Sequence, residues 1–217
     1  MYKYRMLLIF LLLLFICSNT KAFVKELPLL SKKIYLDAGH GGKDPGAYYK
    51  DIYEEDINLK IVLKLKNKIE SLGGIVYLTR DDDYDLSKKG VTRRKKSDLG
   101  NRAKLINDSD ADIYLSLHLN SSNYSSWSGA QVFYDDINAK NKEIALVFQK
   151  GFNKNLNSNK KIKEISTLYM YKNINKPGVL LELGFISNPN DRYLLTKDDY
   201  QNKIVDTLCN SLIEILT

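Results

Sequence analysis

The 217-residue chain is poor in the side chains that most often carry chemistry: it has two cysteines and two histidines. Cys17 lies in an apolar stretch near the amino terminus. Cys209 lies in an apolar pattern near the carboxy terminus that reads as core. Once a leader containing Cys17 is removed, Cys209 stands alone, which excludes a disulfide framework and a cysteine-built metal site. The apolar stretch Met6–Cys17 is about a dozen residues, short of the ~20 that span a bilayer comfortably. No internal repeat and no linker to a second module are found. The formal net charge is +7 and the pI about 9.1, which point to an anionic partner such as a membrane surface or an acidic wall polymer. The chain has no arginine-rich arm and no paired-aromatic signature of an RNA-binding sheet, so nucleic acid is not expected as the partner.

What is present begins with the leader. Lys3 and Arg5 precede the apolar core, and Thr20 and Ala22 form a small-residue pair suited to cleavage after Ala22. Residues 1–22 therefore read as a signal peptide, with an uncleaved anchor as the other reading. Bulky Ile16 before Cys17 argues against a lipoprotein site. The remainder is long enough for one domain with a full core and too short for two ordinary ones; 44% hydrophobic and 27% charged residues is a globular composition.

The mature chain alternates strands and helices. "KIYLD" reads as a strand. "EEDINLKIVLKLKNKIESLGG" reads as a helix, with Ile57, Ile61, Leu65 and Ile69 on one face and Gly73 and Gly74 past its end as stop signals. "IVYLT" is a second strand, followed by a charged loop from Arg80 to about Lys96 and a helix over "DLGNRAKLIND" with Ser97 as its cap. "DIYLSLH", "GAQVFYD", "TLYMYKN" and "GVLLELG" read as further strands. Helices are expected over residues 140–155, over "DRYLL" and over "YQNKIVDTLCNSLIEIL". This alternation predicts a single α/β domain with a twisted, mainly parallel sheet covered by helices on both faces.

In such sheets chemistry gathers beyond the carboxyl ends of the strands. Both histidines sit there, His40 after "IYLDAG" and His118 at the end of "IYLSLH", and Glu182 lies in "VLLELGF". Imidazole is a preferred zinc ligand, and a catalytic zinc takes three protein ligands with one position left open. With cysteine excluded, the third ligand is a carboxylate. Asp44, Asp51, Glu54, Glu55 and Asp56 all follow His40, and spacing does not choose among them. Glu54 would begin a helix and face back toward the strand ends; Glu54 and Glu55 equally suit plain complementation of the helix dipole. Gly39, Gly41 and Gly42 are expected to turn the backbone sharply and leave open space over the metal. Asn120 and Ser121 fit either a cleft lining or a turn cap. Trp127 and Tyr134 fit either a glycan or stem-peptide contact or ordinary packing.

The stretches "IYLDAGHGGKDPGA", "EEDINL", "LSLHLNSS" and "LLELGFISNPND" resemble, in order and spacing, the motifs of zinc-dependent N-acetylmuramoyl-L-alanine amidases of the Amidase_3 type. The resemblance runs from about Lys33 to the carboxy terminus, which makes 33–217 the catalytic domain, with the phosphorylase/hydrolase-like amidase fold. It implies hydrolysis of the amide between muramic acid and the first alanine of the peptidoglycan stem peptide. Carried over by position, His40, Glu54 and His118 match the ligands of one zinc ion and Glu182 the catalytic glutamate. Arg102 falls where relatives carry an arginine; no role is assigned to it. Many relatives have proline where this chain has Ala38. Residues 79–134 are further similar to spore-cortex amidases of endospore formers. That similarity implies a role in forming the cortex muramic-δ-lactam needed for germination, and a germination lipoprotein partner that supports zinc loading. It also implies export to the outer face of the membrane, in the forespore intermembrane space. The alternatives are a vegetative autolysin or cell-separation amidase, another zinc hydrolase on the same scaffold, and a non-catalytic wall- or partner-binding protein.

Overall fold

The computed structural model describes residues 26–217 together with Tyr2 and Tyr4–Met6. The rest of the expected leader, with its cleavage site at Ala22, lies outside the described residues. Among the described residues, no helix is long and apolar enough to cross a membrane.

In chain order the elements are β1 (Lys33–Ala38), β2 (Tyr48–Tyr49), β3 (Ile52–Tyr53), α1 (Glu54–Ser71), β4 (Ile75–Leu78), α2 (Arg94–Asp108) and β5 (Ile113–Asn120). They continue with β6 (Gln131–Tyr134), α3 (Asn141–Asn155), β7 (Lys163–Glu164), a 3₁₀ turn (Tyr171–Asn173), β8 (Gly178–Phe185), α4 (Pro189–Leu195) and α5 (Asp198–Leu216). Six strands form one sheet in the order β4-β1-β5-β8-β6-β7, and β2 and β3 form a separate hairpin. Every pairing in the sheet is parallel except that of β6 with β8. The expected mainly parallel α/β sheet is the fold observed.

The strand alternation decides what each face carries. Ile34 and Leu36 of β1, Leu115 and Leu117 of β5, and Val179 and Leu181 of β8 point to one face, in a core shared with α1, α3 and α5. The stripe Ile57, Ile61, Leu65 and Ile69 of α1 is fully or nearly fully buried there. Each such side chain contributes about 1.5–3 kcal/mol when withdrawn from water. Tyr35, Tyr114 and Leu180 point to the other face, under Ala103 and Ile106 of α2 and Met170 and Tyr171 of the 3₁₀ turn. The same alternation puts Asp37, Ser116, His118 and Glu182 on this second face, where the polar chemistry collects.

Two expected elements differ. "TLYMYKN" is a turn and a 3₁₀ helix instead of a strand: it adds no strand to the sheet, and Met170 and Tyr171 pack down on the face that carries Tyr35 and Tyr114. The second helix starts at Arg94, three residues before Ser97. The Ser97 hydroxyl accepts from the backbone N–H of Lys88 and ties down the preceding loop instead of capping the helix. At α4, by contrast, the Asn188 side chain accepts from the N–H groups of Asn190 and Asp191, with Pro189 at the first helical position.

Candidate metal centre

β1 runs into the loop bearing His40, and β5 ends on the segment bearing His118. Because β1 and β5 are parallel neighbours, these two ends meet. The β2–β3 hairpin then turns the chain into α1, so that Glu54, its first residue, reaches back over the strand ends. His40, Glu54 and His118 thereby converge, with one ligand atom from each within 4.8 Å of the others. Glu54 Oε1 lies 3.2 Å from His40 Nε2 and 3.0 Å from His118 Nδ1. The two imidazoles meet edge to face at 4.8 Å. Both Glu54 contacts are within the ~4 Å that ligand atoms each about 2.0–2.2 Å from one ion can span, while the full set of three extends to 4.8 Å and closes slightly around an ion.

Glu54 is 3% exposed. Its Oε2 accepts from Ala47 N at 2.8 Å and its Oε1 from Leu119 N at 2.9 Å. Burial opposes its ionisation, but the hydrogen bonds and charges of His118 and His40 outweigh it and hold the carboxyl well below the usual range. Of the candidate carboxylates, Glu54 is the one that meets both histidines. Asp51 is exposed, and Glu55 turns toward Asp83. Asp44 serves His40 from behind, with Oδ2 3.1 Å from Nδ1. A His40 that donates from Nδ1 to Asp44 keeps the lone pair of Nε2 directed at Glu54, the arrangement in which a carboxylate fixes the tautomer of a metal-binding histidine.

Glu182 lies beside His118 in the β5–β8 register. Its Oε2 is shut off from solvent without a hydrogen-bond partner. Burial, then the charge of Glu54, push its pKa up to about 8, against an opposing pull from His40. Two nitrogen donors, one ionised carboxylate and a second, unpartnered carboxyl suit a divalent cation with an open coordination position. The donor set thus fits the metal that the family resemblance implies.

The profile of the N-acetylmuramoyl-L-alanine amidase family matches residues 34–214. The chain belongs to that family. The amidase is 40% identical to the germination-specific N-acetylmuramoyl-L-alanine amidase of Bacillus subtilis (strain 168) over 220 residues, covering 97% of this chain and 93% of that protein. It is similar to the solved CwlD amidase from Clostridioides difficile in complex with the GerS lipoprotein. That match has a TM-score of 0.81 and 41% identity, over 86% of this chain and 98% of the other. The catalytic domain of CwlV, an N-acetylmuramoyl-L-alanine amidase from Bacillus (Paenibacillus) polymyxa var. colistinus, matches with a TM-score of 0.75 and 29% identity, over 85% and 98% of the two chains.

In the amidase the glycines of the first motif act differently from expectation. A Cβ on Gly39 would lie 2.3 Å from His118 Cε1, and one on Gly46 would lie 2.6 Å from Glu54 Oε2. These two let the His118 and Glu54 side chains approach the backbone. Gly41 and Gly42 face Tyr84 and Asp85 instead of open space over the ligands. His40 itself adopts φ 64°, a left-handed conformation that is costly for a residue with a side chain.

Two buried arginines hold that conformation. Arg102 donates to the carbonyl oxygens of Ala38 and His40, while Arg80 donates to those of Ala38 and Gly39. Arg102 also pairs with Asp37 at 2.8 Å and Asp98 at 3.1 Å, all nearly unexposed. Asp37 in turn accepts from Thr79 and Ser116, and Ser116 meets the Tyr171 hydroxyl. The sequence reading left Arg102 without a role and placed Arg80 in a solvated loop. Asn120 ends β5, its Oδ1 accepting from Ser121 N as in a turn cap. Tyr134 is 8% exposed with its hydroxyl on Glu164, which settles it as a packing residue, whereas Trp127 is 53% exposed.

Proposed function

We propose that His40, Glu54 and His118 hold one zinc ion and that Glu182 is the catalytic acid–base of an amidase acting in the spore cortex. The observation that carries this reading is the convergence of the three ligand atoms beside the unpartnered Oε2 of Glu182. The similarity to the germination-specific amidase supports the cortex assignment.

The reaction separates the lactyl carbonyl of muramic acid from the nitrogen of the first stem-peptide residue, L-alanine. When bound, zinc would supply Lewis acidity that polarises the scissile carbonyl and favours ionisation of the attacking water and of Glu182. Glu182 accepts the proton that the attacking water loses as the new C–O bond forms. It then delivers that proton to the departing amine as the C–N bond breaks, leaving a carboxylate on the muramic acid and a free amino-terminal alanine. Ionised Glu54 balances charge at the centre, Asp44 keeps His40 in the binding tautomer, and Arg102 and Arg80 fix the loop on which His40 is carried.

The amidase is proposed to work outside the cytoplasmic membrane, in the forespore intermembrane space, after loss of residues 1–22. The solved CwlD amidase forms a complex with the GerS lipoprotein. By extension, a lipoprotein partner is proposed to support zinc loading of this chain. Cortex muropeptides from spores with and without the protein test the role: its loss should remove muramic-δ-lactam and leave spores that form but germinate poorly. Normal lactam content would reject the cortex role in favour of a vegetative one.

A further inference from the structure

The loop "SSNYSSWSG" between β5 and β6 is built of small polar residues except for two aromatics, and Trp127 is the single tryptophan of the chain. Tyr124 is 66% and Trp127 53% exposed. Their rings stack, with centroids 5.9 Å apart and planes 26° from parallel, and still leave aromatic surface open to solvent. Leaving two large rings in water forgoes much of the stabilisation their burial would supply, and folding alone does not account for it.

The surface is pre-formed. Ser122 N donates to Ser187 Oγ at 3.1 Å, and Asn188 Nδ2 donates to the Ser125 carbonyl at 2.7 Å. Asp191 Oδ2 accepts from both Gly129 N and Phe185 N, at 2.8 and 2.9 Å, and so ties the loop to the end of β8. Trp127 stands edge-on to Phe185 with ring centroids 6.3 Å apart. Lys160 Nζ lies 5.9 Å from the Trp127 ring centroid and 5.4 Å from that of Phe185.

Its position ties it to the catalytic centre. Phe185 follows Glu182 by three residues on β8, about 10 Å at the ~3.3 Å rise of a parallel strand, and pairs with Asn120, two residues past His118. An aromatic surface fringed by hydroxyls, amides and one ammonium matches a pyranose, whose C–H faces lie on the electron-rich ring faces while its hydroxyl and acetamido groups meet the fringe. A stem peptide, recognised through its carboxylates, would find Lys160 already placed over the rings and Arg192 already donating to the Ile186 carbonyl. We propose that Tyr124 and Trp127 form a saccharide subsite that seats the glycan strand of the substrate beside the metal centre. This rests on the amidase activity for its substrate class and on the loop geometry for its placement.

The single tryptophan makes the test direct. The zinc-loaded full-length protein is titrated with a tetramer of β-1,4-linked N-acetylglucosamine, and Trp127 emission is followed. A saturable emission change is expected. In calorimetry, Tyr124→Ala and Trp127→Ala should each bind the tetramer about tenfold more weakly, whereas Trp127→Phe, which keeps a stacking ring, should stay within about threefold. Should Trp127→Ala not fold, Tyr124→Ala and Trp127→Phe still decide the matter. The subsite is overturned by an unchanged emission at millimolar tetramer, by a response to free stem peptide or to a protein partner in place of the tetramer, or by undiminished tetramer binding in Tyr124→Ala. Release of stem peptide from peptidoglycan by the unaltered protein is measured alongside. Release without tetramer binding overturns the subsite and leaves the amidase standing; tetramer binding without release supports a saccharide site and removes the amidase mechanism.

Discussion

Replacing Arg102 by Met should destabilise the protein more than any surface change and should do so in a pH-dependent way. Arg102 and Asp37 each have only 1% of their side chains exposed, and Arg102 also serves Asp98 and two carbonyls of the His40 loop. Removing one member of a buried pair leaves an uncompensated charge and costs about 3–5 kcal/mol. For a domain of this size about 2–4 °C of melting temperature accompanies each kcal/mol, so a fall of roughly 10 °C is expected. Burial raises the Asp37 pKa, but Arg102, His118, Ser116 and Thr79 together hold it below the ordinary value of 3.8. A depressed carboxylate stabilises the native state above its unfolded pKa, and that stabilisation is lost as pH falls through the lower folded value. Without Arg102 the main opposing charge is gone and burial drives the Asp37 pKa upward. The native state then prefers the protonated acid, and the deficit of the variant shrinks as pH falls from 7 toward 4.5. Urea unfolding at both pH values, on metal-free protein in chelator, measures this. Asp37→Asn added to Arg102→Met should recover about 1–2 kcal/mol by removing the stranded charge. A deficit below about 1 kcal/mol, or one equal at both pH values, would refute the reasoning.

Glu182→Gln should fold, keep its zinc and release stem peptide at least ~100-fold more slowly, the scale of lost acid–base catalysis; lost zinc would make Glu182 a ligand instead. His118→Ala should lose metal together with activity, because two protein ligands remain, and a fully loaded variant in metal analysis would take His118 out of the centre. Burial and the charges of Asp83 and Asp56 push Glu55 up to about 7, above its ordinary 4.5, so it stabilises the native state at low pH and that contribution is lost as pH rises through about 7. Glu55→Gln should therefore raise the melting temperature at pH 8 and leave it unchanged at pH 4; equal effects at both would reject the assignment. Amino-terminal sequencing of protein from the native host should begin near Phe23, and a start at Met1 would overturn cleavage.

Periodic elements were legible because each had one face to bury. Ile57, Ile61, Leu65 and Ile69 declare α1, and the strand ends that carry both histidines follow from β1 and β5 being parallel neighbours. Which carboxylate meets the histidines was not legible from spacing, because five follow His40 closely in sequence and only the hairpin β2–β3 decides which faces the histidines. The support for His40 was equally hidden. Arg102 and Arg80 are remote from it in sequence, and charged residues in polar segments read as solvated until tertiary packing buries them. α2 begins with Arg94, Lys95 and Lys96 and lacks a side-chain cap, so it carries neither of the usual signals for a helix start. "TLYMYKN" misled because its β-forming residues suit a strand locally, while the sheet at that point needed a helical turn to cover Tyr114.

The central claim is that a zinc centre of His40, Glu54 and His118 with Glu182 as acid–base cleaves the muramoyl–alanine amide. Purified peptidoglycan digested with zinc-loaded protein, with products identified by mass spectrometry and amino-terminal analysis, tests it most directly. The account predicts stem peptides with a free amino-terminal alanine and glycan strands with intact muramic acid, at one zinc per chain and abolished by chelator. Cleavage within the stem peptide, loss of acetyl groups alone, or undiminished release after the zinc is removed would contradict it.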